Sequence, residues 1–107
     1  MKYLMLVCND PSLSPSPDAN PIESWLDEMH SRGVRLEGSQ LRPTSDATTV
    51  RESGRLVADG PFAETKELVA GYDVIECADL AEAIEVASKH PVATFGAIEL
   101  RPIWTDE

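Results

Sequence analysis

Cysteine and histidine are scarce in this chain of 107 residues: Cys8, Cys77, His30 and His90 are the full set. They are scattered, with no HxxxH, CxxC or two-histidine-one-carboxylate spacing, so no metal site is expected. Two cysteines are too few for a disulfide framework. Each ends an apolar run, where a thiol behaves as a small buried hydrophobe. On adjacent antiparallel strands the two would lie at opposite ends and could not bridge. There is no Gly-rich phosphate loop, since Gly54 and Gly60 stand in turns without a following GK[ST], and no GxSxG elbow. No cofactor is therefore expected.

Basic side chains are also few. Nine Lys and Arg face 19 Asp and Glu, for a formal charge of −10. That excludes a polyanion such as nucleic acid, or an anionic membrane surface, as a general partner. Long apolar runs are missing too: none approaches the ~20 residues of a membrane span. Met1-Lys2 leads directly into Tyr3-Leu4-Met5-Leu6-Val7-Cys8, which stops at Asn9-Asp10-Pro11. The run reads as a first strand rather than a signal peptide, and a cytoplasmic protein is expected.

What remains is 42% apolar content, enough for one modest core in a single domain spanning 1–107. Residues 3–8 are unbroken apolar, as in a central strand. Residues 10–18, with three prolines and three serines, form a stiff surface loop. Asn20-Pro21-Ile22-Glu23 predicts a helix over 20–32, with Asn20 as N-cap and Pro21 at the first helical position. Ile22, Trp25, Leu26 and Met29 make its apolar stripe. Gly33 ends it, with His30 and Arg32 in the last turn as partners of the helix dipole.

Val34 to Leu41 predicts a second strand, with Val34, Leu36 and Gly38 sharing a face. Residues 47–51 and 56–58 predict a hairpin turned at Ser53-Gly54. Leu68 to Cys77 follows as a strand with Gly71 as a bulge or close-approach point. On it Tyr72, Val74 and Glu76 share one face, and Asp73, Ile75 and Cys77 the other. Asp79 with Glu82 predicts a capping box, opening a helix whose stripe is Leu80, Ala83, Ile84 and Ala87. His90-Pro91 ends it, with His90 as a dipole partner. A last strand runs from Phe95 to Ile103. Strand, helix, strand, hairpin, strand, helix, strand is the split βαβ arrangement: an antiparallel sheet with both helices on one face and an inserted hairpin. The uncovered face carries Glu99 and Arg101, and a second copy of the chain is its natural cover.

The densest chemistry lies at Asp59-Gly60-Pro61-Phe62-Ala63-Glu64-Thr65-Lys66-Glu67. Gly-Pro ends one strand and re-aims the chain, while Phe62 costs solvation unless it fills a pocket or a partner surface. This nine-residue string resembles the signature of the DGPF branch of the YCII-related family. The resemblance runs from Met1-Lys2-Tyr3 to the segment from Val92 to Ile103, which includes Glu99-Leu100-Arg101-Pro102. It implies a ferredoxin-like α+β fold and a homodimer built as a dimeric α+β barrel. It also implies, at family level, an association with extracytoplasmic-function sigma factors.

Some proteins of the wider YCII-like group look like small-molecule lyases, isomerases or dehalogenases that use a helix-borne His with a nearby Asp. Here the first half of helix 20–32 carries no His, so that dyad is not carried over. The candidate proton carrier is Asp59, with Phe62, Lys66, Glu67 and Arg101 as candidate ligand contacts for a carboxylate-bearing or aromatic metabolite. The functional readings are a dimeric acid–base enzyme with a motif-lined cleft between subunits, a non-catalytic ligand-sensing module, and a structural dimer whose motif closes the subunit interface.

Overall fold

A computed structural model describes residues 1–10, 21–60 and 68–105. The expected Pro/Ser loop, the Asn20 cap and the motif residues Phe62, Glu64, Lys66 and Glu67 lie outside these. Strand β1 (Lys2–Asn9) leads to helix α1 (Ile22–Ser31) and strand β2 (Arg35–Gln40). A hairpin of β3 (Thr48–Arg51) and β4 (Leu56–Asp59) precedes β5 (Leu68–Glu76), helix α2 (Leu80–Ser88) and β6 (Ala97–Pro102). The main sheet is antiparallel with order β2-β5-β1-β6, the ferredoxin-like order, and the hairpin forms a separate two-stranded sheet. Among the described residues no helix is long and apolar enough to cross a membrane.

Alternation along β1 decides which face is covered. Tyr3 and Met5 pair with Ile75 and Asp73 on β5 and with Pro102 and Leu100 on β6. They join Trp25 and Met29 of α1 and Ala83, Val86 and Ala87 of α2 in one buried core, so both helices sit on that face. Leu4 and Leu6 point the other way, opposite Arg101 and Glu99, which are on the uncovered face as expected. Cys8 pairs near one end of the sheet, while the Cys77 N–H donates to Met1 O at the other. The two thiols form no disulfide with each other, being separated along β1 by roughly 23 Å.

The helices differ in detail from the sequence pattern. Pro21 sits outside α1 as its N-cap residue, and its carbonyl accepts from Ser24 at 3.1 Å. Trp25 and Met29 enter the core, but Ile22 and Leu26 do not share their depth. At α2 the Asp79 cap holds: Oδ1 accepts the Glu82 N–H at 2.9 Å, and Glu82 Oε1 accepts from Ala78 at 2.8 Å. The buried stripe of α2 is Ala83, Val86 and Ala87, whereas Leu80 and Ile84 are exposed. Arg32 and Lys89 explain part of that rotation. Arg32 bonds Glu28 and Glu85, and Lys89 bonds Glu28 and Glu85, pinning one side of α2 to α1. Trp25 completes the joint by donating its indole N–H to Val86 O at 2.9 Å.

Two strand irregularities place the site. On β2, Arg35 pairs with Ile75 but Glu37 pairs with Val74, so Leu36 is an extra, bulged residue. Leu36 is therefore exposed rather than beside Val34, and Arg35 and Gly38 both fall on the helix-covered face. On β5 the shift opposite Val7 and Cys8 leaves Ala70 as the extra residue next to Gly71. Gly71 backs closely on Ser39 O, 3.1 Å from where a Cβ would stand, which is the close approach its sequence position predicts. The hairpin turns through the four residues 52–55 between the two expected strands, with positive φ at Glu52, Ser53 and Gly54.

Candidate functional site

A cavity of about 440 Å³ opens on the helix-covered side of the sheet, near the start of α1. Val7 of β1, Ile22 and Leu26 of α1 and Val92, which follows α2, give it apolar walls. The α1 stripe is thus divided: Trp25 and Met29 fill the core, while Ile22 and Leu26 wall this space. Arg35, Asp73, His90 and Tyr72 are the ionisable residues in its described lining. Its volume lies within the range of small-molecule pockets, ~300–1,000 Å³.

Asp73 is a charged residue on the core face of a central strand, and the surroundings are built to keep it there. Arg35 Nε donates to its Oδ1 at 2.7 Å, and both side chains are largely buried. Gly38 pairs with Asp73 across the ladder. A Cβ at position 38 would collide with the carboxylate and lie 2.6 Å from Arg35 Nη2, so only glycine leaves room for the ion pair. Arg35 Nη1 also lies 3.1 Å from Nε2 of the exposed His30. A guanidinium only donates, so His30 Nε2 is the acceptor. Burial pushes the Asp73 carboxyl above its ordinary value, and the Arg35 hydrogen bond and charge pull it back only in part.

His90 does not serve as the cationic dipole partner that its place after α2 predicts. It lies two residues beyond the helix, 4% exposed, with its ring edge-on to Trp25 at 4.9 Å between centroids. Its Nδ1 accepts the Val92 N–H at 3.1 Å, so the neutral ring carries its proton on Nε2. Burial drives its pKa down to about 4, which keeps it neutral at physiological pH. The 3₁₀ turn over Pro91–Thr94 that His90 caps is absent from the sequence expectation.

Among the described residues Asp73 Oδ2 and His90 Nε2 have no hydrogen-bond partner. Among the described residues no buried side-chain nitrogen or oxygen lacks one, so both atoms are reached by solvent. Both residues line the cavity. The lining therefore includes a carboxylate acceptor and a neutral N–H donor. Such a pair can accept a proton from a ligand and hydrogen-bond the oxygen where charge develops.

The residues singled out from sequence stand elsewhere. Asp59 ends β4 opposite Thr48, exposed, and does not line the cavity. Arg101 is exposed on the uncovered sheet face, 3.5 Å from Glu99. Phe62, Lys66 and Glu67 lie outside the described residues. No group of three His, Cys, Asp or Glu side chains among the described residues is placed to hold a metal ion. Arg35 and Asp73 were missed, although one signal was present: Asp73 shares a strand face with Ile75 and Cys77, and a charge there demands a partner.

The model of the family described as YCII-related domain matches residues 1–105. An uncharacterised protein of Rhizobium meliloti (strain 1021) is 44% identical over 114 aligned residues, covering 96% of this chain and 92% of that protein.

Proposed function

The chain belongs to the YCII-related family, and from that footing we propose a small homodimeric protein that binds an organic metabolite in the cavity beside α1 and moves a proton on it, as an isomerase or lyase does. One observation carries this reading: a buried carboxylate and a buried neutral imidazole line the same cavity, each with an atom unengaged among the described residues. Groups buried at such cost cluster where chemistry needs them. Asp73, with its raised pKa, is the proton acceptor, and His90 is the donor to ligand oxygen.

The dimer part of the proposal is supported by the uncovered sheet face. Leu4 and Leu6 alternate there with charged Glu99 and Arg101, and an antiparallel sheet with apolar residues on both faces calls for a second cover. Asp59 and Arg101, both exposed, belong to this proposal as contacts of the second copy rather than of the ligand.

The test is thermal stability of wild type and Leu26→Trp across a library of small carbonyl, carboxylate and aromatic compounds. A ligand at ~100 times its Kd adds roughly 2.7 kcal/mol to a state that alone binds it. A compound that raises the midpoint of wild type but not of Leu26→Trp places binding in the cavity. Equal rises in both, or none, would remove the site. Sedimentation of the same samples decides the dimer.

A further inference from the structure

We propose that the molecule bound in this cavity is an uncharged carbonyl compound with a removable proton beside the carbonyl, its oxygen held by His90 and its proton taken by Asp73. The inference rests on the cavity being the binding site and adds the class of substrate.

Charge comes first. Among the described lining residues Arg35 is the one cation and Asp73 the one anion, and they neutralise each other across 2.7 Å. An anionic ligand would bring a further charge into a space whose other described lining residues, the apolar Val7, Ile22, Leu26 and Val92 and the uncharged Asn9, Ser39, Gln40 and Tyr72 among them, include no second cation to meet it. Arg35 is also poorly placed to receive a carboxylate. A fork-on carboxylate needs two adjacent guanidinium nitrogens, either Nε with Nη2 or Nη1 with Nη2. Nε already bonds Asp73 and Nη1 already bonds His30, so each edge has one nitrogen engaged. Nη2 lies over Gly38, close to the backbone.

The two unengaged atoms then define the ligand. His90 Nε2–H donates and is met by a carbonyl oxygen. Asp73 Oδ2 accepts and is met by an acidic C–H or O–H. A neutral imidazole suits this task, because it polarises a carbonyl while remaining a donor throughout. In the step, Asp73 Oδ2 takes the proton from the carbon beside the carbonyl. The electron pair of the broken C–H bond forms the C=C bond, and the carbonyl pair moves to the oxygen, which accepts the His90 hydrogen bond as an enolate. Return of that proton to the oxygen gives the enol, and where a C=C bond adjoins the enolate its return to the far carbon of that bond gives the shifted isomer, with no oxidant, reductant or co-reactant.

The experiment pairs uncharged cyclic ketones and 1,2-diones with ring carboxylates of equal size, beginning with cyclohexane-1,2-dione and cyclohexanecarboxylate. Binding is followed by calorimetry, and exchange of ligand C–H for deuterium by NMR in D2O. Wild type is expected to favour the uncharged member by at least about tenfold, or 1.4 kcal/mol, and to speed its exchange above buffer. Asp73→Asn leaves Arg35 uncompensated, so exchange should be lost and the preference should swing towards the carboxylate. Tighter carboxylate binding by wild type, weakening as pH rises, would overturn the uncharged class and leave the cavity reading intact. Binding without faster exchange would overturn the proton step. Equal binding by Leu26→Trp, or no binding by either series, would overturn the cavity itself.

Discussion

Arg35 and Asp73 meet at 2.7 Å across the one position in β2 that has no side chain, Gly38. The bulge at Leu36 makes the meeting possible, because it puts Arg35 and Gly38 on the same face of β2. Gly38→Ala would force a methyl group into the pair. The expected loss is about 1–3 kcal/mol, typical of overpacking, read as a lower urea midpoint at unchanged slope. Because the carboxylate would have to move, ligand binding in the cavity should fall with it. An alanine variant as stable as wild type would mean the pair shifts freely and is not held by the strand.

Trp25 joins the helices at a single polar contact. Its indole N–H reaches Val86 O from the core of α1, and the surrounding ring is 2% exposed. Trp25→Phe keeps most of the apolar volume and removes the donor, so a loss of about 1–2 kcal/mol is expected. Addition of the charged network at Arg32 and Lys89 to this joint makes the α1–α2 contact sensitive to salt, since those pairs lie at the surface. High salt should therefore lower the midpoint of Trp25→Phe more than that of wild type.

Cys77 is 3% exposed, and burial pushes its thiol pKa up, with the Glu82 charge adding to the effect. A thiolate is the reactive form, so Cys77 should alkylate only when the chain unfolds. Iodoacetamide labelling followed by mass spectrometry across a urea series checks this. Labelling in native buffer at the rate of an exposed peptide cysteine would show that the end of β5 opens readily.

Much of the fold is legible in the residues themselves, because each device is local. Asp79 and Glu82 announce α2, Gly33 closes α1, and the unbroken apolar run over residues 3–8 marks β1 as a central strand. The site is less legible, because bulges create it. A bulge adds one residue to one strand and reverses every face assignment beyond it, and nothing in Arg35-Leu36-Glu37 announces that slip. Val34 and Leu36 alternate as a strand should, yet Leu36 is out and Arg35 is in. His90 was read by its position after a helix, where a cation helps the dipole. Packing against Trp25 overrode that preference by removing water.

His90 gives the protein a predictable acid limb. Its folded pKa of about 4 lies below the ordinary imidazole value of 6.5, so protons bind the unfolded chain more readily. Stability from the buried neutral ring is therefore fully present above pH 6.5 and is lost as pH falls towards 4. The interval corresponds to about 3 kcal/mol. Asp73 acts in the opposite sense: its raised pKa favours the folded state below the unfolded carboxylate value and loses that advantage as pH rises. The two slopes oppose each other where they overlap, so the decline from pH 6.5 towards 4 belongs to His90 and is offset, not steepened, by Asp73. His90→Asn keeps an acceptor for the Val92 N–H while removing the titrating ring. Chemical denaturation at a series of pH values should show wild type weakening between 6.5 and 4 and the Asn variant nearly flat. An equally steep slope in both would assign the acid limb to the surface carboxylates paired with Arg32 and Lys89, of which Glu85 is held down to about 2.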